Sequence, residues 1–196
     1  MTNLLDLTGK TAVVTGGSRG VGKATSLLLA KAGASVGIGY RSRAEEAGET
    51  VRMMEALGVQ AWAEPGDLGN PEDAEALFQK ADREFDGLDI FVGNAGIWPP
   101  DEIPIAEMSD RHWKRTIEAN LDSIFYTTRE AARRIRDDGR IVLGHHHPLG
   151  RAKMLESGLF QAQPQLLGDQ GPARDSRDIL QHGLAPVTEA GGLHGS

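Results

Sequence analysis

Apolar and polar positions in residues 1–143 fall into short apolar runs separated by longer helical stripes. Ala12, Val13 and Val14 form a short, partly β-branched run, the pattern of a strand buried on both faces. An amphipathic stretch then runs to Ala32, with Val21, Ala24, Leu28 and Ala32 on one helical stripe and Gly33 placed to cap it. A second strand is predicted over 35–39. A second helix follows over 44–57, with Ala47, Val51, Met54 and Leu57 inward and Gly58 as its stop. A third short strand is expected over 59–63. Asn70-Pro71-Glu72-Asp73 is a strong helix start: an N-cap, proline at the first helical position, then acids in the first turn. Ala74, Leu77, Phe78, Ala81 and Phe85 are its apolar stripe, and Gly87 ends it. A fourth strand over 89–92 leads into a proline-rich loop over 97–108. Ser109 then caps a long helix to about residue 136, with Trp113, Ile117, Leu121, Ile124, Ala132 and Ile135 on its stripe. A fifth strand opens over 139–143. This alternation predicts a doubly wound α/β fold with a mostly parallel sheet and helices on both faces.

The turn after the first strand carries candidate chemistry. Gly16, Gly17, Gly20 and Gly22 separate strand from helix, with the spacing G-x-x-x-G-x-G. Glycine lets the backbone approach a pyrophosphate, and the helix N-terminus offers free N–H groups and a positive dipole end. Taken alone, the glycines would also suit an ordinary βα turn. The second strand ends at Tyr40-Arg41-Ser42-Arg43, about 20 residues past the glycines, where a dinucleotide fold reads the adenosine ribose. An acid there would bind the ribose 2′-hydroxyl and repel a 2′-phosphate. This chain offers Arg41 and Arg43 instead, with Arg19 inside the glycine loop. The guanidinium fork donates paired hydrogen bonds to phosphate.

Thr15, Gly16, Gly20 and Gly22 match the T-G-x-x-x-G-x-G opening of the short-chain dehydrogenase/reductase family, which the chain resembles over about residues 7–143. Asn94-Ala95-Gly96 and Asn120 extend the likeness, which is nearest in texture to 3-oxoacyl-carrier-protein reductases and related sugar- or polyol-type members. The resemblance implies a Rossmann-type fold that binds NADP rather than NAD. Cofactor contacts would come from Thr15, Gly16, Ser18, Arg19, Gly20, Val21 and Gly22 in the first turn. Tyr40, Arg41 and Ser42 would surround the ribose. Asp67, beside Leu68, would face the adenine amino group, and Asn94, Ala95 and Gly96 would line the cofactor floor. Asn120 would join the catalytic group by holding a water beside a lysine; on its own it also reads as a satisfied core amide. The implied reaction moves a hydride between nicotinamide and a small-molecule carbonyl or secondary alcohol. The 109–136 helix would pair two copies in a homo-oligomer.

The resemblance stops inside the fifth strand. The family next supplies a serine and then Tyr-x-x-x-Lys, in which the lysine lowers the pKa of the tyrosine general acid/base. This chain has two tyrosines, Tyr40 and Tyr126, followed four residues on by Ala44 and Glu130, and its only lysine after Lys114 is Lys153. Residues 144–196 are rich in Gly, Gln, His, Pro and Arg, with Phe160 as their one aromatic residue. Such a composition predicts loose packing or disorder. The expected division is therefore a nucleotide-binding domain over 1–143, incomplete at its C-terminus, and an atypical tail over 144–196. A reading-frame shift or foreign C-terminus would explain the abrupt switch. The alternative function is a cofactor-binding pseudoenzyme or fragment without hydride transfer.

Composition narrows the remaining classes. The net charge of −7 argues against generic nucleic-acid binding. With no cysteine there is no disulfide or thiol chemistry. His145-His146-His147 has no acid or cysteine near it, so no metal is expected. No apolar leader or bilayer-length segment is apparent, which predicts a cytoplasmic protein with no membrane partner.

Overall fold

Ala12, Val13 and Val14 have no exposed surface, because they form the middle of a parallel sheet covered on both faces. The computed structural model describes residues 6–97 and 103–144. Its five strands are β1 Thr11–Thr15, β2 Ser35–Tyr40, β3 Ala61–Pro65, β4 Leu88–Gly93 and β5 Ile135–Leu143. They lie in the order β3-β2-β1-β4-β5, and every neighbouring pair is parallel. On β1, Val13 pairs with Gly37 on one side and Phe91 on the other.

Alternate β1 side chains enter separate cores, as strand periodicity requires. Val13 joins Leu77, Phe78, Phe91 and Ala131 beneath α3 (Pro71–Glu84) and α5 (Ser123–Ala132). Ala12 and Val14 join Val36, Ile38, Ala47 and Met54 beneath α1 (Gly20–Lys31) and α2 (Ala44–Glu55). The expected doubly wound α/β architecture is thus present.

The α3 helix forms as its sequence dictates. The Asn70 side chain accepts a hydrogen bond from the Glu72 N–H at 3.1 Å, and Pro71 occupies the first turn. All five expected inward residues, Ala74, Leu77, Phe78, Ala81 and Phe85, are buried. β3 starts two residues later than expected, at Ala61.

The expected stripe of α1 is corrected. Val21, Ala24 and Leu28 face outward, and Gly22, Ser26 and Ala30 are buried. Small residues on the inner face let the helix lie close to the sheet. Ser26 tolerates burial because its hydroxyl donates to the Gly22 carbonyl at 2.8 Å.

The long fourth helix is also corrected. Ser109 caps it as expected, accepting from the His112 N–H at 3.2 Å. The element then divides into α4 (Asp110–Ile117), a π turn over Glu118–Asp122, and α5. It ends at Ala132, and Ile135 already belongs to β5. The buried residues of α5 are Ser123, Thr127, Glu130 and Ala131, whereas Trp113, Leu121 and Phe125 are more than half exposed. Thr127 donates to the Ser123 carbonyl at 2.6 Å, and Glu130 receives hydrogen bonds from Arg133 and Arg134 at 2.7 and 2.6 Å. These internal bonds make a polar inner face tolerable.

At the N-terminal end of the strands, Asp89 is nearly buried. It accepts hydrogen bonds from Lys10 Nζ, the Thr11 N–H and Arg136 Nη1 at 2.9–3.0 Å. Among the described residues no helix is long and apolar enough to cross a membrane, and no group of acids and histidines could hold a metal ion. Trp98, Pro99, Pro100 and the segment 145–196, including His145–His147, lie outside the described residues.

Candidate cofactor cleft

The strand order reverses at β1, since the chain proceeds outward to β2 and β3 and later returns to place β4 on the opposite side. In open α/β sheets this reversal opens a crevice at the carboxyl ends of the strands. Here the crevice is a cleft of about 540 Å³. It lies between the glycine turn, the end of β2, the loop after β3 and the Asn94–Gly96 segment.

The glycine turn forms one wall. Gly16 has φ +67°, a left-handed conformation that favours glycine. At Gly22 the constraint is close approach: a Cβ atom would stand 2.2 Å from the Gly16 carbonyl oxygen. The first turn of α1 contains no acid, and no side chain caps it. Its N–H groups and positive dipole end are therefore free to meet an anion. Ser18, Arg19, Gly20 and Val21 line this wall. The exposure of Val21, unexplained by a buried stripe, follows from its place at the cleft.

Thr15 sits elsewhere. It is 1% exposed, and its Oγ1 accepts from the Asn94 and Ala95 N–H groups at 2.9 Å each. Asn94 Nδ2 donates back to the Thr15 carbonyl at 3.0 Å. Thr15 thus ties the carboxyl ends of β1 and β4 together from behind the cleft, while Asn94, Ala95 and Gly96 line it.

Tyr40, Arg41, Ser42 and Arg43, at and after the end of β2, also line the cleft. Two of the three arginines have carboxylate partners. Arg41 Nη1 lies 3.4 Å from Asp67 Oδ2, and Arg43 Nη1 lies 2.8 Å from Glu46 Oε1. Arg19 has no ion-pair partner among the described residues. Asp67 and Leu68 also line the cleft, and the Asp67 N–H donates to Asp73 Oδ2 at 2.8 Å.

Asn120 lies in the π turn and is half-buried. Its Oδ1 accepts from the Ile97 N–H at 2.9 Å, and its Nδ2 donates to the Thr116 carbonyl at 3.0 Å. A Cβ on Gly96 would stand 2.7 Å from that Oδ1. The amide therefore fixes the chain leaving β4 against the π turn. Ala119 and Ser123 also line the cleft, and no motif in the sequence marked them.

A glycine-bordered helix N-terminus at the reversal of a parallel sheet is the arrangement of a Rossmann-type α/β fold. The chain belongs to the short chain dehydrogenase family, whose pattern matches residues 10–143. It is 37% identical over 136 residues to General stress protein 39 of Bacillus subtilis (strain 168), covering 69% of this chain and 47% of that protein. It is 42% identical over 130 residues to 3beta-hydroxysteroid dehydrogenase 1 of Eggerthella lenta, covering 64% of this chain and 48% of the relative. The chain spans about half the length of these curated relatives. Among solved structures, a short chain dehydrogenase from Burkholderia cenocepacia J2315 in complex with NADP superposes with a TM-score of 0.69 at 34% identity. That likeness covers 78% of this chain and 63% of the Burkholderia protein.

Proposed function

We propose that the chain binds NADP(H) in this cleft, as a member of an oxidoreductase family. The observation that carries the reading is one cleft lined by three arginines, Arg19, Arg41 and Arg43, together with an uncapped helix N-terminus. The residues fit the group, since the absent side chain of Gly22 keeps the turn closed while leaving the first-turn N–H groups open. When bound, NADP(H) supplies the hydride exchanged with a small-molecule carbonyl or secondary alcohol. The chain's own part is to hold the pyrophosphate on the first-turn N–H groups of α1 and the 2′-phosphate on the three arginines. Asp67 meets the adenine edge, and Asn94, Ala95 and Gly96 form the floor, positioned by Asn120. We take residues 1–143 as the unit that does this.

A second reading, cofactor binding without efficient hydride transfer, is favoured by the tyrosines. Tyr40 lines the cleft beside Arg41, and Tyr126 packs against the α3-side core with Arg129 5.4 Å from its ring centre. Neither precedes a lysine by four residues. Titration with NADPH and NADH, followed by turnover of NADPH with ketones, 3-oxoacyl thioesters and sugars, tests both readings. NADPH binding with negligible turnover selects the second, and absence of dinucleotide binding defeats both. Self-association through the exposed Trp113, Leu121 and Phe125 is part of the same family reading, and light scattering tests it.

A further inference from the structure

Arg43 is held by an acid from its own neighbourhood. It immediately precedes α2, and Glu46 lies in the first turn of that helix. Their 2.8 Å contact is the shorter of the two ion pairs made by the cleft arginines. Both side chains are partly exposed, at 49% and 42%, so the pair is open to exchange with solvent ions or another anion. The positive charge of Arg19 also acts on Glu46. The Glu46 carboxyl is held below its usual range, chiefly by the hydrogen bond from Arg43. Glu46 therefore remains a carboxylate under ordinary conditions, and it draws on two of the three arginines assigned to the 2′-phosphate.

A phosphate reaching Arg43 must share or replace that carboxylate. We propose that Glu46 sets nucleotide specificity, competing with the cofactor 2′-phosphate for Arg43 and thereby limiting the preference for NADP over NAD. This rests on the proposed NADP reading and extends it to a residue outside the cleft lining. The effect is selective by construction. A ligand without a 2′-phosphate makes no demand on Arg43, so Glu46 leaves its affinity unchanged. Glu46 also serves its helix, because an acid in the first turn complements the dipole. Glu46→Gln removes the charge that both roles use while keeping size and a hydrogen-bond acceptor, so melting reports the helix role and ligand selectivity reports the competition.

The test uses the full chain with adenosine 2′,5′-bisphosphate and AMP, titrated calorimetrically at low salt. The expected result is that wild type prefers the bisphosphate. Glu46→Gln should tighten bisphosphate binding by about two- to fivefold, as befits an exposed ion pair, with AMP unchanged. In the Arg43→Gln background the same substitution should gain less. If Glu46→Gln moves both ligands equally, or neither, the proposal is overturned although the NADP reading stands. If wild type does not distinguish the two ligands, the NADP reading itself has failed, and the proposal with it. Thermal melting of each variant checks that α2 remains folded, and Glu46→Asp, which restores the charge, should return the bisphosphate affinity toward that of wild type.

Discussion

Thr15 and Asn94 hold each other across the β1–β4 junction. The threonine hydroxyl accepts from the asparagine N–H at 2.9 Å, and the asparagine side chain donates to the threonine carbonyl at 3.0 Å. Both residues are almost wholly buried, at 1% and 9% exposure. The floor and the glycine wall of the cleft are therefore one hydrogen-bonded unit.

Thr15→Val keeps the shape and removes the acceptor shared by the buried Asn94 N–H and the part-buried Ala95 N–H. A buried group left unsatisfied costs about 1–3 kcal/mol, so urea denaturation should show a loss of that order and dinucleotide binding should weaken with it. An unchanged urea midpoint would mean that these bonds contribute nothing net.

Arg41→Asp should reverse the cofactor preference. It removes a phosphate donor and places an acid where a ribose 2′-hydroxyl would be read. Charge-assisted hydrogen bonds contribute about 1.5–3 kcal/mol, so wild-type discrimination should be about ten- to hundredfold. Equal wild-type affinities for NADPH and NADH would contradict this.

Asp89 makes stability depend on acid. Burial pushes its carboxyl upward, but the Thr11 N–H, Lys10 and the Thr11 hydroxyl, with the charge of Arg136, outweigh burial and leave it below its usual range. A carboxyl depressed on folding stabilises the protein above its unfolded value of about 3.9, and that stabilisation is lost as pH falls through the folded value. Asp89→Asn should lower stability at neutral pH by about 1–3 kcal/mol and flatten the acid limb of the stability profile. Parallel acid limbs for variant and wild type would assign the pH dependence to other carboxylates.

Turnover should be slow. Positioned proton transfer contributes about 10²–10⁴-fold, and the proposed site offers no tyrosine paired with a lysine. NADPH oxidation at high protein concentration measures what remains. Robust turnover, abolished by both Asn120→Ala and Gly16→Asp, would overturn the second functional reading.

The elements most legible in the sequence are those whose apolar face is also their buried face. Pro71–Glu84 shows this most clearly, because its cap, its proline and its aromatic stripe agree. The first and last helices break the rule for a shared reason. Gly22, Ser26 and Ala30 face inward on α1, and Ser123, Thr127 and Glu130 do so on α5. Close packing there depends on small side chains and internal hydrogen bonds, while Val21, Leu28, Leu121 and Phe125 are left outside. A hydrophobic stripe therefore points the wrong way on both. The glycine turn and the Asn94–Gly96 segment were recognisable because backbone geometry restricts their residue types. The pairing of Arg41 with Asp67 was not, because 26 residues separate them and each charge read singly suits solvent.

The π turn over Glu118–Asp122 takes up one residue more than an α-helical turn over almost the same rotation, so α4 and α5 keep nearly the angular relation of one continuous helix. Deleting one residue there, so that the turn closes as regular α-helix, would leave α5 close to its present phase, with Ser123, Thr127 and Glu130 still toward the sheet. The change would fall on the wide turn itself, from which the Asn120 amide reaches the Ile97 N–H. A one-codon deletion at this point would thus disturb the cleft wall while sparing the helix seat.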